Sequence, residues 1–357
     1  MLPTMMSVDM NEAILQAAVA CGMDSIWVPD HLLGIMHPEL WPEFPASSLL
    51  SDPDAWLDPF CVAAALGQST TLPFGTCVTD GTRRRGADLT RTMLTLHDIC
   101  KGGFTLGIGA GEAESTLPFG YDYSQPVSRL EETLIDMRSL LDTGRMPSGL
   151  GRTGLPRENA HGLPQIWVAA GGPRALKLCG RYGDGWMQGP VAPALYAEQL
   201  AQVRKAASEA GRKMPTACLF PLVLFGDSRE QVLATFDTNP LLRLLLLLAP
   251  ATLWKRYDLE HPSGPDCRGI PDYIPHALDP AALRLLAPRI PLAMIEEFIM
   301  LGNVADVAAR LCPFIAAGTD YIVLCDLTGL CYAPEKSAQL MAGMGTLKQL
   351  LSDRDPK

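Results

Sequence analysis

Short apolar runs alternate with helix-length amphipathic stretches along nearly the whole chain, and this alternation restricts the fold more than any other feature. Residues 25–28, 74–79, 104–109, 165–170, 185–187, 217–225 and 321–325 read as strands, and residues 10–21, 59–67, 87–99, 127–141, 173–181, 194–210 and 304–316 as helices. The strands are continuously apolar, as strands buried on both faces must be. The pattern therefore predicts a parallel sheet covered by helices. At 357 residues the chain is long enough to close such a sheet into a TIM-type (β/α)₈ barrel as one unit, 1–357. Only seven strands are legible. The first strong element is a helix, so the absent strand belongs ahead of it. Residues 1–6 offer only a stub there, and the first strand is predicted to be short or missing.

One stretch breaks the rhythm. Residues 250–296 contain eight prolines yet keep Trp254, Tyr257, Ile270, Tyr273 and Ile274. Loops this long in compact domains are functional or disordered. The retained apolar residues point to an ordered insertion over the barrel mouth, forming an apolar substrate cleft. Just before it, Leu241, Leu242 and the leucines of 244–248 form a run too short to span a membrane. It reads as a buried helix or a pocket wall.

The net charge is −10, and the only tight basic run is Arg83-Arg84-Arg85. That is too little for the basic stripe of a nucleic-acid binder or for a polybasic membrane anchor. Neither nucleic acid nor stable membrane insertion is expected. The ten cysteines contain no CxxC pair and the six histidines no HExxH, so no metal site is predicted. Cysteines inside apolar stretches, such as Cys21, Cys61, Cys179 and Cys312, behave as small hydrophobes in a reducing compartment. With no signal-peptide pattern, a cytoplasmic protein is expected.

Active sites of such barrels lie at the carboxyl ends of the strands, so the residues after each strand bear the chemistry. After residues 25–28 comes Pro29-Asp30-His31, a carboxylate beside an imidazole that can hold a cofactor edge and deliver a proton. It equally fits a helix-capping Asp beside a surface His. Cys77-Val78-Thr79-Asp80 carries nothing catalytic by type. Gly107-Ile108-Gly109-Ala110-Gly111-Glu112 is not the dinucleotide fingerprint, because Glu112 stands where its last glycine is needed. Its glycines let a flat ring approach the backbone and put Glu112 at the mouth; a plain glycine turn with a solvated Glu also fits. Ala170-Gly171-Gly172-Pro173 starts a helix whose free N–H groups can bind phosphate, or is simply a tight turn.

Taken in order, several segments resemble the luciferase-like monooxygenase superfamily. They are Trp27-Val28-Pro29-Asp30-His31, Gly75-Thr76-Cys77-Val78-Thr79, Leu106 through Glu112, Ile166 through Pro173, and Gly183-Asp184-Gly185-Trp186. The likeness is closest to the branch that uses the deazaflavin coenzyme F420, and it runs over about residues 10–350. Glu260-His261-Pro262-Ser263-Gly264-Pro265 and Ile270-Pro271-Asp272-Tyr273-Ile274-Pro275 resemble the phthiodiolone ketoreductases of that branch.

The resemblance implies an oxidoreductase, with Asp30, Cys77, Val78, Glu112, Ala170, Gly171, Gly172, Gln188 and Gly189 around the cofactor. It assigns proton handling to His31 and Glu112, and implies a cis peptide between Cys77 and Val78. Ile35 stands where the sugar-phosphate dehydrogenases of the branch carry tryptophan, which argues against glucose 6-phosphate. The implied reaction moves a hydride between deazaflavin C5 and a ketone or secondary alcohol of a largely hydrophobic substrate, in a homodimer. The helix at Pro173 would hold the cofactor's phosphate, and Arg83, Arg84 and Arg85 would meet its acidic tail. The alternatives are an FMN-dependent monooxygenase on the same fold and a non-catalytic flavin-binding barrel.

Overall fold

Every apolar run assigned to a strand forms one in the computed structural model, which describes residues 1–352; residues 353–357 of the expected unit lie outside the described residues. The sheet runs Ile26–Val28, Phe74–Thr76, Phe104–Gly109, Gln165–Ala169, Gly185–Gln188, Thr216–Leu219 and Tyr321–Ile322, with Thr79–Asp80 also pairing with Phe104–Gly109. Among the described residues each of these pairings is parallel. Helices Val8–Ala20, Pro59–Leu66, Gly86–Ile99, Pro126–Thr143, Pro173–Tyr182, Pro193–Glu209 and Val304–Ala316 separate the strands, as the apolar periodicity requires. The result is a curled parallel sheet of TIM type.

Two details differ from the sequence reading. The 217–225 run is two strands, Thr216–Leu219 and Leu222–Phe225, because Pro221 has no N–H for the ladder. The second piece turns to pair with Cys325–Asp326 and with Met300–Gly302. Met300–Gly302 is a strand the sequence reading missed: its apolar residues continue from the helix Leu292–Phe298 with no turn signal between them. The Leu2 N–H donates to the Trp27 carbonyl at 2.7 Å and the Met1 amino group to the Leu324 carbonyl at 2.9 Å. The stub at the start of the chain therefore links the first strand to the segment that follows Tyr321–Ile322.

Inward-facing Trp27, Cys77, Trp167, Met187, Cys218 and Val323 fill the barrel. Trp27 and Trp167 lie with ring centroids 5.0 Å apart, and Tyr321 meets Trp167 edge-on at 5.0 Å. Such aromatic pairs add stabilisation beyond the area they bury. They also dictate two glycines: a Cβ on Gly75 would lie 2.6 Å from the Trp27 ring, and one on Gly185 2.5 Å from Trp167.

A second core lies outside the barrel. The leucine run forms the 3₁₀ helix Pro240–Leu248, with every leucine buried. It packs against Met36, Trp41 and Phe44 from the loop after the first strand, and against Trp254, Tyr273 and Ile295 of the 250–296 segment. Carbonyls of the run find side-chain donors: Trp254 Nε1 donates to Leu246 at 3.0 Å and His261 Nε2 lies 3.1 Å from the Leu247 oxygen. Arg243, the one polar residue of the run, reaches out to the Ile290 carbonyl at 2.9 Å and to Asp237 at 2.6 Å. A segment satisfied in this way is an ordered wall. No disulfide links the cysteines; seven are buried, but Cys61 is exposed on the solvent side of its helix, unlike the small buried hydrophobe expected. Among the described residues no helix is long and apolar enough to cross a membrane.

Candidate active site

A cleft of about 770 Å³ opens at the carboxyl ends of the strands. Every residue that the resemblance places at the cofactor or assigns a proton lines this one cleft. The volume is ample for a cofactor ring with a small substrate.

The strand Ile26–Val28 delivers Asp30 and His31 to it. Asp30 is buried, and Thr79 Oγ1 donates to its carboxylate at 2.6 Å. Arg83 and Arg84 reach the same carboxylate at 3.1 and 3.0 Å. Burial alone would push the Asp30 carboxyl up; the two guanidinium groups outweigh it and hold the group below its ordinary range. The basic run is therefore not the exposed anion site expected. The Arg83 side chain is only 5% exposed and also pairs with Asp80, Arg84 lies over the Phe60 ring, and only Arg85 is exposed.

His31 is half-buried with its ring 4.9 Å from that of Trp56. Its Nδ1 lies 2.7 Å from Glu114 Oε1 and 3.5 Å from Glu112 Oε2. Burial opposes its charge, but the hydrogen bond to Glu114 and the nearby Glu112 and Asp30 carboxylates overcome that and raise it to about 9. Glu112 is raised to about 8, first by burial, with the Glu114 carboxylate adding to it against His31. Glu114 goes the other way: burial is outweighed by the bonds from His31 and from Ser115 Oγ at 2.5 Å, and it stays ionised. At neutral pH two neighbouring groups thus hold protons around one anion. Their ligating atoms lie within 4.8 Å of one another, a spacing a cation could use, but those protons would have to leave first.

Glu114 was not weighed in the sequence. Two residues beyond Glu112 it reads as a turn residue, and its only signal is a second carboxylate in the loop after the glycine-rich strand.

The Cys77–Val78 peptide is cis, as the resemblance implied. Burial pushes the Cys77 thiol well up, so it lines the cleft as a neutral group. Opposite it, Ala170, Gly171 and Gly172 lead into the helix Pro173–Tyr182, whose Gly172 cap has no side-chain partner for the first N–H groups. A Cβ on Gly172 or Gly189 would meet nothing within 4 Å, so both stand beside open space. Gln188 hydrogen-bonds to Gln199, which donates to the Gly171 carbonyl at 2.8 Å, and Gly189 N–H donates to Gln188 at 2.9 Å. This chain of amides sets the two loops side by side. The uncapped helix N-terminus and the open space beside Gly172 and Gly189 fit a phosphate-bearing ring cofactor.

The remaining wall comes from the second core and the 250–296 segment. Ile35, Phe220, Leu222, Leu248, Phe298 and Leu327 supply an apolar surface. Residues 268–273 run across the rim. The Pro271 carbonyl accepts from Ala113 N–H at 2.9 Å and Tyr123 Oη at 3.2 Å, and Tyr273 Oη donates to the Ile35 carbonyl at 3.2 Å. His276 and Asp54 pair at 2.8 Å just beyond.

The luciferase-like monooxygenase family matches residues 2–321. The chain belongs to that family. It is an oxidoreductase of it, and curated relatives sharpen the comparison. A phthiodiolone/phenolphthiodiolone dimycocerosates ketoreductase of Mycobacterium kansasii is 33% identical over 328 residues, covering 86% of this chain and 88% of the relative. An F420-dependent glucose-6-phosphate dehydrogenase of Mycolicibacterium gilvum is 25% identical over 331 residues, covering 87% of this chain and 86% of the relative. Among solved structures, an F420-dependent secondary alcohol dehydrogenase in complex with an F420–acetone adduct superposes with a TM-score of 0.69 at 18% identity, over 98% of this chain and 96% of that one. At that identity the superposition shows the fold alone.

Proposed function

We propose that this chain is a coenzyme F420-dependent oxidoreductase that moves a hydride between deazaflavin C5 and a ketone or secondary alcohol of a largely hydrophobic substrate. When bound, the deazaflavin supplies hydride chemistry. The protein's part is to seat the ring, exclude water and manage one proton. Asp30, Cys77, Val78, Ala170, Gly171, Gly172, Gln188 and Gly189 form the seat, with the N-terminus of the helix Pro173–Tyr182 taking the phosphate.

The observation that carries the reading is the placement of His31 and Glu112 together on the cleft wall, Nδ1 to Oε2 3.5 Å apart, with surroundings that raise the proton affinity of both. As a carbonyl carbon accepts the hydride, its oxygen gains charge and must receive a proton. His31 or Glu112 donates it, and solvent restores it afterwards. In alcohol oxidation the same group takes the proton back. The apolar wall from Ile35 to Leu327 favours a hydrophobic substrate over a sugar phosphate. Of the two arginines on the lining, Arg268 is already paired with Asp272 and Arg174 with Glu131. The segment 250–296 acts as a lid within a single 1–357 unit, and we assign the protein a cytoplasmic homodimer, with sedimentation as the check on assembly.

The test is turnover of reduced F420 against a panel of hydrophobic ketones. Saturable, stoichiometric ketone reduction is expected, reduced roughly a hundredfold or more in His31→Ala or Glu112→Gln, whichever is the donor. Near-wild-type turnover in both variants, or turnover only with reduced FMN and oxygen, contradicts the reading.

A further inference from the structure

We infer that Glu114 is a positioning residue: it fixes the His31 ring through Nδ1 and leaves Nε2 facing the reaction. The case rests on where the atoms lie. Glu114 is 7% exposed at its side chain and occupies Nδ1 of His31 at 2.7 Å, with Glu112 also on the Nδ1 side at 3.5 Å. Nε2 has no partner among the described residues, while the ring lines the cleft. The other Glu114 oxygen is held by Ser115 Oγ at 2.5 Å, and Ser115 Oγ in turn accepts from Leu32 N–H at 3.1 Å. The loop bearing Glu114 is thus stitched to the loop bearing His31, and the carboxylate cannot swing away without breaking both links.

Charge accounting singles out the same residue. Three carboxylates face His31: Asp30 from its own loop, and Glu112 and Glu114 from the loop after Phe104–Gly109. Asp30 is already neutralised by Arg83 and Arg84, and Asp80, which faces Glu112, by Arg83. Glu112 holds a proton. Glu114 is left as the anion that balances an imidazolium, and its negative charge, hydrogen-bonded to the neutral Glu112 carboxyl, also disfavours ionisation there. One buried carboxylate therefore arms two neighbours.

The inference rests on the proposed proton-donor role of His31 only for its kinetic consequence; its test does not. In cofactor-free protein with ¹⁵N-labelled histidine, His31 is assigned through its contact with the Trp56 ring and titrated by NMR. The wild-type ring should stay doubly protonated through pH 8. In Glu114→Gln the midpoint should fall by about one pH unit or more, a tenfold loss of proton affinity, and Glu114→Asp should recover part of it. With substrate, Glu114→Gln should lower kcat with little change in KM. A lowered midpoint with unchanged kcat supports Glu114 as placed here and removes His31 from the donor role. A neutral wild-type His31 at pH 7, which needs no variant to detect, overturns the inference, as does an unshifted midpoint in Glu114→Gln.

Discussion

An imidazole and a carboxyl group free in water would both be largely deprotonated at neutral pH; at this barrel mouth the surroundings raise both, Glu112 to about 8 and His31 to about 9. The cause for Glu112 is burial beside a second carboxylate, and for His31 a direct bond to that carboxylate. The sign of the resulting pH dependence follows. Ketone reduction consumes the proton, so its rate should be level at neutral pH and fall as pH rises past about 8 to 9, where the two groups lose their protons. Alcohol oxidation should rise over the same range. Stopped-flow rates in both directions check this, and a reduction limb centred near the ordinary histidine value of about 6.5 would contradict it. At this scale the sequence was partly legible. Asp30 and His31 stand together at a strand end, and Glu112 follows a glycine-rich strand, so barrel geometry alone brings them to one mouth. The partners were not legible. Glu114 reaches His31 across 83 positions of chain, which no local spacing reveals. Arg83 and Arg84 misled because a solvated basic turn and an internal ion-pair cluster are the same letters in sequence.

The elements that shape the cleft divide into those written in periodicity and those that are not. The helix Val304–Ala316 carries a sustained apolar stripe and is legible to the residue, the other helices to within about two residues at each end, while the strand Met300–Gly302 follows the apolar helix Leu292–Phe298 with no boundary to read. The proline-rich segment could be placed at the mouth because it follows a strand whose carboxyl end faces the site. Its path across the rim depends on contacts between distant carbonyls and side chains, Pro271 with Ala113 and Tyr273 with Ile35. Those contacts argue for a lid. Shortening residues 262–275 should abolish ketone reduction while F420 binding and the sedimentation coefficient stay unchanged. Conversion to monomers with turnover per chain preserved would instead make the segment a subunit interface.

For the molecule as a whole, the barrel follows from the alternation of continuous apolar strands with amphipathic helices, and the stub at Met1 and Leu2 links the first strand to the segment that follows Tyr321–Ile322. The glycine loops, the helix start at Pro173 and the protonated pair His31 and Glu112 then converge on one cleft, because the fold turns every strand end the same way. Such a mouth suits a flavin as readily as a deazaflavin in outline, so the choice of cofactor is the claim on which the account depends most. Equilibrium titration of the purified protein with oxidised F420 and, separately, with FMN addresses it directly. F420 should bind at least about tenfold tighter, a difference of about 1.4 kcal/mol; micromolar affinity for FMN with no detectable binding of F420 would contradict it.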